Sequence, residues 1–420
     1  MFKTKADLLE WLGSQNKFSI KLHLSRIQRA CELLANPQEY YQKVHIAGTN
    51  GKGSTVNYLQ QMLISTNFKV GSFISPYIIT FNERIQINGT YISDADLIKY
   101  ANLIYPVVKQ VEAELNDEMT EFEVITLLAF VYFKAEKVDY AIFEVGLGGR
   151  FDATNVINPL VCGITNISYD HIGVLGDTLE AIAYEKIGIA KENVPVFTTE
   201  ARKNVLEVFL DYCDKVKTKL YKCDDNGMTF TYKDKAFYLP MLGYHQVKNA
   251  HLAIKIYEYL LKLRKMTPDV EYIYNGLKGA KWSGRLEIIN KNPLVIVDGT
   301  HNIDGAITLV EAMKYYINKG YTIHTVFAAL KDKDTFNILK QLQKISKTLT
   351  LTSFPFYRAN SAKNLYEQTN KIMVTYDEDY INVLNTRIKQ INDKELLLVT
   401  GSLYFISKVI TYFNQLDKDC

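Results

Sequence analysis

From Val44 onward, short apolar runs alternate with longer amphipathic stretches, and this alternation narrows the possible folds more than any other feature of the chain. The first runs are Val44–Ala47, Val70–Ile74, Tyr140–Val145, Leu160–Ile164 and Val194–Phe197. Strand then helix, repeated, argues for an α/β fold with a largely parallel sheet and helices on both faces. Before Val44 the chain reads as helical, with Leu8, Leu9, Trp11 and Leu12, then Ile27, Leu33 and Leu34, near helical spacing. Thr229–Tyr232 and Ala236–Leu239, separated by Lys233-Asp234-Lys235, predict a hairpin, and a helix follows from about Asn249 to Leu263. The alternation then restarts at Leu294–Val297 and continues through Thr322–Ala328, Thr348–Ser353, Ile372–Val374 and Leu396–Val399. A restart predicts a second, smaller α/β domain, with the hinge between Gly284 and Pro293.

Length agrees, because 420 residues are too many for one compact core. Hydrophobic content of 47% and charged content of 23% are ordinary for a soluble globular protein. A net charge of +3 does not point to a nucleic-acid reader, which gathers cations on one face. The five cysteines (Cys31, Cys162, Cys213, Cys223, Cys420) form no CxxC pair, which suits buried thiols in a reducing cytoplasm better than disulfides or metal ligation. The opening MFKTKADLLEWLG carries no signal peptide, and the longest apolar run, Val124 to Phe133, is far short of a membrane span and reads as a core helix.

The most informative stretch is VHIAGTNGKGSTVNYLQQML. Val44–Ala47 feeds a loop from Gly48 to Ser54, and a helix is expected to begin near Thr55. Glycines at 48, 51 and 53 let backbone N–H groups approach phosphate oxygens. The helix N-terminus adds its positive dipole end and Lys52 a point charge, while the Ser54 hydroxyl suits magnesium. The spacing is not G-x-x-x-x-G-K-[ST], and a structural turn with incidental glycines is the competing reading. The strand–loop–helix context favours nucleotide.

In open α/β sheets, ligands gather at the carboxyl ends of strands. Glu144 lies there, just before Gly146-Leu147-Gly148-Gly149, where a carboxylate can hold magnesium against phosphates. An ordinary strand-end acid is an equal alternative. His171 follows Leu160–Ile164; a lone histidine is more often structural, and the metal reading gains only from the shared strand-end rim. Lys186, in AIAYEKIG, reads from the bare sequence as solvent-facing.

Taken together, the chain resembles the folylpolyglutamate synthase/dihydrofolate synthase family, within the wider Mur-ligase group of ATP-dependent amide-forming enzymes. The resemblance rests on HIAGTNGKGST, ISPYIITFNERI, EVGLGGRFDATN, DHIGVLGDTLEAIAYEKIGIAK, HQVKNAHLA, SGRLE, DGTHN and TGSLY, in that order across most of the chain. It implies a P-loop ATPase-like domain over residues 1–284, carrying a folate loop, and a smaller Rossmann-like glutamate-ligase domain over 285–420.

The resemblance also implies roles. Asn50, Gly51, Lys52, Gly53 and Ser54 match the ATP phosphate loop. Ser54, Ser75, Glu144 and His171 match magnesium ligands, and Lys186 matches a lysine that is carbamylated in the family and so holds a second ion. Gln246 and Asn249 match the adenine-side motif. Arg285 and His301 match groups that reach the ATP phosphates, and Asp298 matches a nucleotide contact. The folate loop runs from Pro76 to Arg84, Asp152 and Ala153 fall where some members bind dihydropteroate, and Ser402 matches a serine near glutamate. Lys52, Lys186, Arg285 and His301 are the implied catalytic set. Tyr77 stands where many members have histidine, Ser283 replaces a proline, and Thr300 and Ile303 replace the usual alanine and proline.

The implied reaction phosphorylates a folate or dihydropteroate carboxylate with ATP, and the amine of glutamate then displaces phosphate. It needs no covalent enzyme nucleophile, and the chain has no G-x-S-x-G elbow. Closure of the second domain over the first is the expected way of completing the site. ATP and two magnesium ions are the expected cofactors. The expected partners are small-molecule substrates, with no nucleic acid or membrane, and the expected state is a cytoplasmic monomer. A cell-wall Mur enzyme is disfavoured because only 47 residues precede Gly48. A regulatory nucleotide-binding module would have little need of the folate loop, DGTHN or TGSLY. A purely structural α/β protein would leave the rim of Glu144 and His171 unexplained.

Overall fold

The computed structural model describes residues 1–15, 23–223, 231–232, 235–236, 239, 241, 243–369 and 373–419. Contacts divide it into two units, the first Met1–Pro240 with Val247–Ala280, the second Met241–Gln246 with Lys281–Cys420.

In the first unit, α1 (Lys5–Ser14) and α2 (Ser25–Leu33) precede β1 (Gln42–Ala47). Then come α3 (Lys52–Ser65), β2 (Val70–Phe73), β3 (Ile85–Ile87), β4 (Thr90–Tyr91), α4 (Asp94–Leu115), α5 (Glu121–Ala135) and β5 (Tyr140–Glu144). β6 (Val161–Ile164), α6 (Ile172–Leu175), α7 (Leu179–Ile187), β7 (Val196–Thr198), α8 (Lys203–Lys215) and β8 (Leu220–Lys222) follow. The eight-stranded sheet has the order β4-β3-β2-β5-β1-β6-β7-β8. It is parallel from β2 to β8, and β3 and β4 run antiparallel at one edge.

Central position explains the unbroken apolar runs. β1 is flanked by β5 and β6, and Val44, Ile46 and Ala47 are fully buried. On one face, Phe130 and Phe133 of α5 meet Phe143 of β5 with ring centroids 5.2 and 5.8 Å apart. Each such ring stabilises the fold by about 1.5–3 kcal/mol through burial. α5 is buried from Val124 to Phe133, as its apolar run requires, and a Thr120/Glu123 capping box starts it. On the other face, Ile182, Ile187, Val205 and Phe209 of α7 and α8 form a second apolar layer with Cys162 and Ile164 of β6. After β5 the chain passes over β1 to reach β6, so the strand order switches at β1 and opens a crevice at the carboxyl ends.

The predicted hairpin falls partly outside the described residues, at 229–230, 233–234 and 237–238. The described part pairs β9 (Thr231–Tyr232) with β10 (Lys235–Ala236), which puts Lys235 in a strand instead of the turn. α9 spans Tyr244–Leu263, starting before the expected Asn249, because polar His245, Gln246 and Lys248 hide its first turn. α10 (Val270–Gly279) packs against α3, where a Cβ on Gly276 would stand 2.6 Å from the Met62 Cα.

The second unit carries β11 (Glu287–Lys291), β12 (Leu294–Asp298), α11 (Ile303–Asn318), β13 (Thr322–Phe327), α12 (Thr335–Leu342), β14 (Ser346–Ser353) and α13 (Ala362–Glu367). β15 (Val374–Asp379), α14 (Tyr380–Gln390), β16 (Glu395–Thr400) and α15 (Leu403–Asp419) complete it. Its six strands have the order β11-β12-β16-β13-β14-β15, parallel except for β11. Ile372, placed in a strand from sequence, lies outside the described residues, as does Cys420. No helix among the described residues is long and apolar enough to cross a membrane.

Candidate active site

The loop after β1 is bent so that its carbonyls face lysines. Gly48 has φ 138° and packs so tightly that a Cβ there would stand 1.9 Å from the Thr165 hydroxyl. Gly51 has φ 86°, and a Cβ there would stand 2.2 Å from Asn249 Oδ1. Only glycine meets both demands, an L-disfavoured φ and no side-chain volume. α3 begins at Lys52, earlier than the expected Thr55, and no side chain caps it, which suits its N-terminus to an anion.

Residues following β6 pin this loop. Thr165 donates its hydroxyl to Asn50 O at 2.6 Å, Asn50 N donates to Asn166 Oδ1 at 2.8 Å, and Thr49 N donates to Asn166 O at 2.7 Å. Sequence reading missed Thr165 and Asn166. Their one signal is polar residues directly after an apolar strand, at the end where ligands gather.

Two lysines converge on Gly48. Lys52 Nζ donates to the Gly48 and Thr49 carbonyls, each at 3.1 Å, and lies 4.0 Å from Glu144 Oε1. Lys186 Nζ also donates to Gly48 O at 3.1 Å. Lys186 is 5% exposed, so the solvent-facing reading of the bare sequence is corrected. Burial, reinforced by the Lys52 charge, pulls its pKa down to about 7. Glu144, at the end of β5, is buried and accepts from Ser75 N at 3.2 Å through Oε2. Ser54 is buried in the first turn of α3.

Hard oxygen donors are what magnesium requires, and Glu144, Ser54 and Ser75 supply that type. A buried carboxylate beside a cationic loop fits the ion. His171 has φ 52°, is about half exposed, and lies 3.8 Å from Asp170 by its Nε2. Among the described residues, no three His, Cys, Asp or Glu side chains form a metal-binding group, so Glu144 and His171 are not joined in such a cluster.

The Pro76–Arg84 loop is held from inside. Glu83 accepts from the backbone N–H groups of Ile78, Ile79 and Thr80 at 2.7–2.8 Å. Arg84 lies over the ring of Tyr77, 5.1 Å from its centroid, so the tyrosine offers a cation–π surface. Asp152 and Ala153 are buried. Asp152 Oδ2 accepts from the Gly146 and Leu147 amides, each at 2.9 Å, while Oδ1 accepts from Thr154. Burial raises the pKa of this carboxyl above its ordinary value, and those hydrogen bonds offset only part of the rise. Asn249 is buried against Gly51, and Gln246, also buried, belongs to the second unit.

In the second unit, Asp298 closes an equivalent bracket. Oδ1 accepts from the N–H and hydroxyl of Thr300 at 2.9 and 2.6 Å, and Oδ2 accepts from Leu286 N, next to Arg285, at 3.0 Å. His301 Nδ1 lies 2.8 Å from Gly299 O, which places its proton on Nδ1. Asn302 caps α11 through Gly305 N. Ser402 is buried between β16 and α15, and its hydroxyl accepts from Tyr404 N at 3.2 Å.

Comparison with known proteins bears on this geometry. Residues 46–257 match the Mur ligase middle domain, and residues 284–403 match the Mur ligase glutamate ligase domain. The chain is 38% identical over 426 residues to the dihydrofolate synthase/folylpolyglutamate synthase of Bacillus subtilis, covering 97% of this chain and 99% of that protein. It is similar to Mycobacterium tuberculosis folylpolyglutamate synthase complexed with ADP and AMPPCP, with a TM-score of 0.88, 28% identity, and 97% and 98% of the chains covered. It is also similar to the bifunctional folylpolyglutamate synthase/dihydrofolate synthase of Yersinia pestis complexed with AMPPNP and a manganese ion, with a TM-score of 0.87, 26% identity and 98% of each chain covered.

Proposed function

This chain belongs to the Mur-ligase family, in its folylpolyglutamate synthase/dihydrofolate synthase group, and on that premise we propose that it joins L-glutamate to the carboxylate of a reduced folate and of dihydropteroate, with ATP converted to ADP and phosphate. The observation that carries the proposal is the convergence of Lys52 and Lys186 on Gly48, beside buried Glu144 and the uncapped start of α3.

A carboxylate becomes an acyl donor only when its oxygen is made a leaving group. Transfer of the γ-phosphoryl group of ATP to that oxygen supplies one, and the glutamate amine then attacks the carbonyl carbon and expels phosphate. The protein's task is positioning and neutralising moving negative charge. The α3 N-terminus and the loop amides of Gly51 and Gly53 bind the phosphates, Asn50 holds the loop in place through Asn166, and Lys52 sets its ammonium against the phosphates. Glu144, Ser54, Ser75 and His171 would hold magnesium, and carbamylated Lys186 would hold a second ion; the ions would neutralise phosphate charge. Gln246 and Asn249 hold the adenine side.

Residues 1–284 do the nucleotide work and carry the folate loop, Pro76 to Arg84, with Asp152 and Ala153 on the dihydropteroate side. Of residues 285–420, Arg285 and His301 serve the phosphates, Asp298 contacts the nucleotide, and Ser402 serves glutamate. The protein acts as a cytoplasmic monomer. The test is to incubate it with MgATP and glutamate, offering dihydropteroate or tetrahydrofolate in parallel, and to follow phosphate release and product mass. Glutamyl products from both acceptors support the bifunctional reading, and from tetrahydrofolate alone a chain-extending synthase. If neither acceptor stimulates turnover or gains a glutamyl mass, the folate assignment fails.

A further inference from the structure

Behind the rim, two residues that the reaction above does not use, His45 and Thr154, are linked by hydrogen bonds to Asp152. His45, in the middle of β1, is fully buried, and its Nε2 lies 2.8 Å from the Thr154 hydroxyl. That hydroxyl also meets Asp152 Oδ1, which accepts the Thr154 N–H at 3.0 Å. The other Asp152 oxygen accepts from Gly146 N and Leu147 N.

Donor counting sets the direction of every bond. Three backbone N–H groups converge on Asp152, which favours its anionic, acceptor-only form. The Thr154 hydroxyl therefore gives Asp152 its single proton. It then has only lone pairs to offer His45, so Nε2 carries the imidazole hydrogen and Nδ1 is bare. Nδ1 is indeed buried without a hydrogen-bond partner. An apolar residue on β1 would avoid that desolvation cost. The histidine instead supplies a directed donor.

What the chain ends on is the start of the Gly146–Gly149 loop, directly beyond Glu144. β1 and β5 are neighbours in register, with His45 opposite Phe143 and Ile46 opposite Glu144, and Val145 N donates to Ile46 O at 2.9 Å. Thus one strand fixes Glu144 through its backbone, and through His45 it fixes the amides that follow. Gly146 has no freedom on its other side, since a Cβ there would stand 2.6 Å from the Phe122 ring.

We propose that His45 and Thr154 are positioning residues for the acceptor carboxylate, acting through Asp152 on the Gly146 and Leu147 amides without touching substrate. The proposal rests on the folate-ligase reading above. Asp152, 5% exposed with both oxygens occupied, serves as the anchor of that loop. Disturbing the chain therefore degrades use of the pterin acceptor while the phosphate loop keeps its own bonds to Thr165 and Asn166.

The test compares Thr154→Val, which keeps the branched shape and removes the hydroxyl, with Thr154→Ser, which restores it. kcat and KM are measured for ATP and for the pterin acceptor, with fluorescent ATP-analogue binding and the thermal midpoint alongside. Thr154→Val lowers kcat/KM for the acceptor by about tenfold or more, leaves nucleotide binding within about twofold, and Thr154→Ser recovers most of the loss. Equal losses for ATP and acceptor, or no gain from serine over valine, overturn the proposal. Should Thr154→Val not fold, His45→Gln, which keeps a side-chain N–H donor, is set against His45→Leu on the same criteria. Hydrogen exchange separates this idea from the folate reading, because it needs no substrate. The Gly146 and Leu147 amides exchange about tenfold faster in Thr154→Val, and unchanged rates there overturn the network whatever the protein glutamylates.

Discussion

Lys186 Nζ donates to the carbonyl oxygen of Gly48 at 3.1 Å, across 138 residues of sequence. The bond ties the end of α7 to the first glycine of the phosphate loop. It also buries an amine beside another amine, that of Lys52, and this proximity lowers the Lys186 pKa further than burial alone.

A lysine held at about 7 is substantially neutral just above neutral pH, and the neutral amine is the form that reacts with carbon dioxide. The neutral share rises as pH rises through about 7. Lys186→Ala is expected to lower kcat by about 10–100-fold with the fold retained. Activity of the native protein should fall in carbon-dioxide-free buffer and return with bicarbonate. Activity indifferent to bicarbonate would count against the carbamate.

Gly51→Ala tests the close approach of the phosphate loop to α9. Alanine is strained at φ 86°, and its Cβ meets Asn249 Oδ1 at 2.2 Å. Nucleotide affinity is expected to fall by about tenfold or more, with little change in far-UV circular dichroism. A titration with unchanged affinity would mean that loop and Asn249 separate freely.

The Thr300 hydroxyl donates to Asp298 Oδ1 at 2.6 Å. Because Asp298 still holds Leu286 N without it, Thr300→Ala is expected to change kcat by less than about threefold. Asp298→Ala frees Leu286, which has φ 46°, and with it the neighbouring Arg285. A loss of about 10–100-fold in kcat is expected there. Matching effects of the two substitutions would refute this ordering.

Glu395 is held at about 2, first by the Asn392 amide and then by Lys347 and His324. A carboxyl whose folded pKa lies below its unfolded value contributes stability above the unfolded value, near 4.5, and loses it as pH falls toward about 2. The urea midpoint of Glu395→Gln should therefore lie below that of the native chain at pH near 7, and the gap should narrow by a pH of about 3.5. A gap that widens in acid would reverse the assignment.

The strands were legible because their signal is local. β5, β6, β12 and β16 lie within about a residue of the apolar runs, and β1 starts two residues ahead of its run at polar Gln42, since a strand flanked on both sides must be largely apolar. Edges were less legible. β15 extends to Asp379 through exposed polar residues, beyond the apolar Val374 that marked it. The phosphate loop could be found from glycine spacing, but not the residues that hold it, because Thr165 and Asn166 come from another strand.

The sequence by itself determined two α/β units, a glycine-rich loop between a strand and a helix, and the motifs that mark the family. Each depends on neighbours in the chain: apolar period, backbone freedom, helix polarity. Tertiary structure alone decided which polar groups lose their water. Lys186 reads locally as a surface lysine and becomes a buried amine at Gly48, and Asp152, singled out only through the resemblance, becomes a bracket around two amides. His45 becomes the buried donor behind that bracket. Desolvation and hydrogen-bond partnership arise from segments far apart in sequence, and no local pattern encodes them.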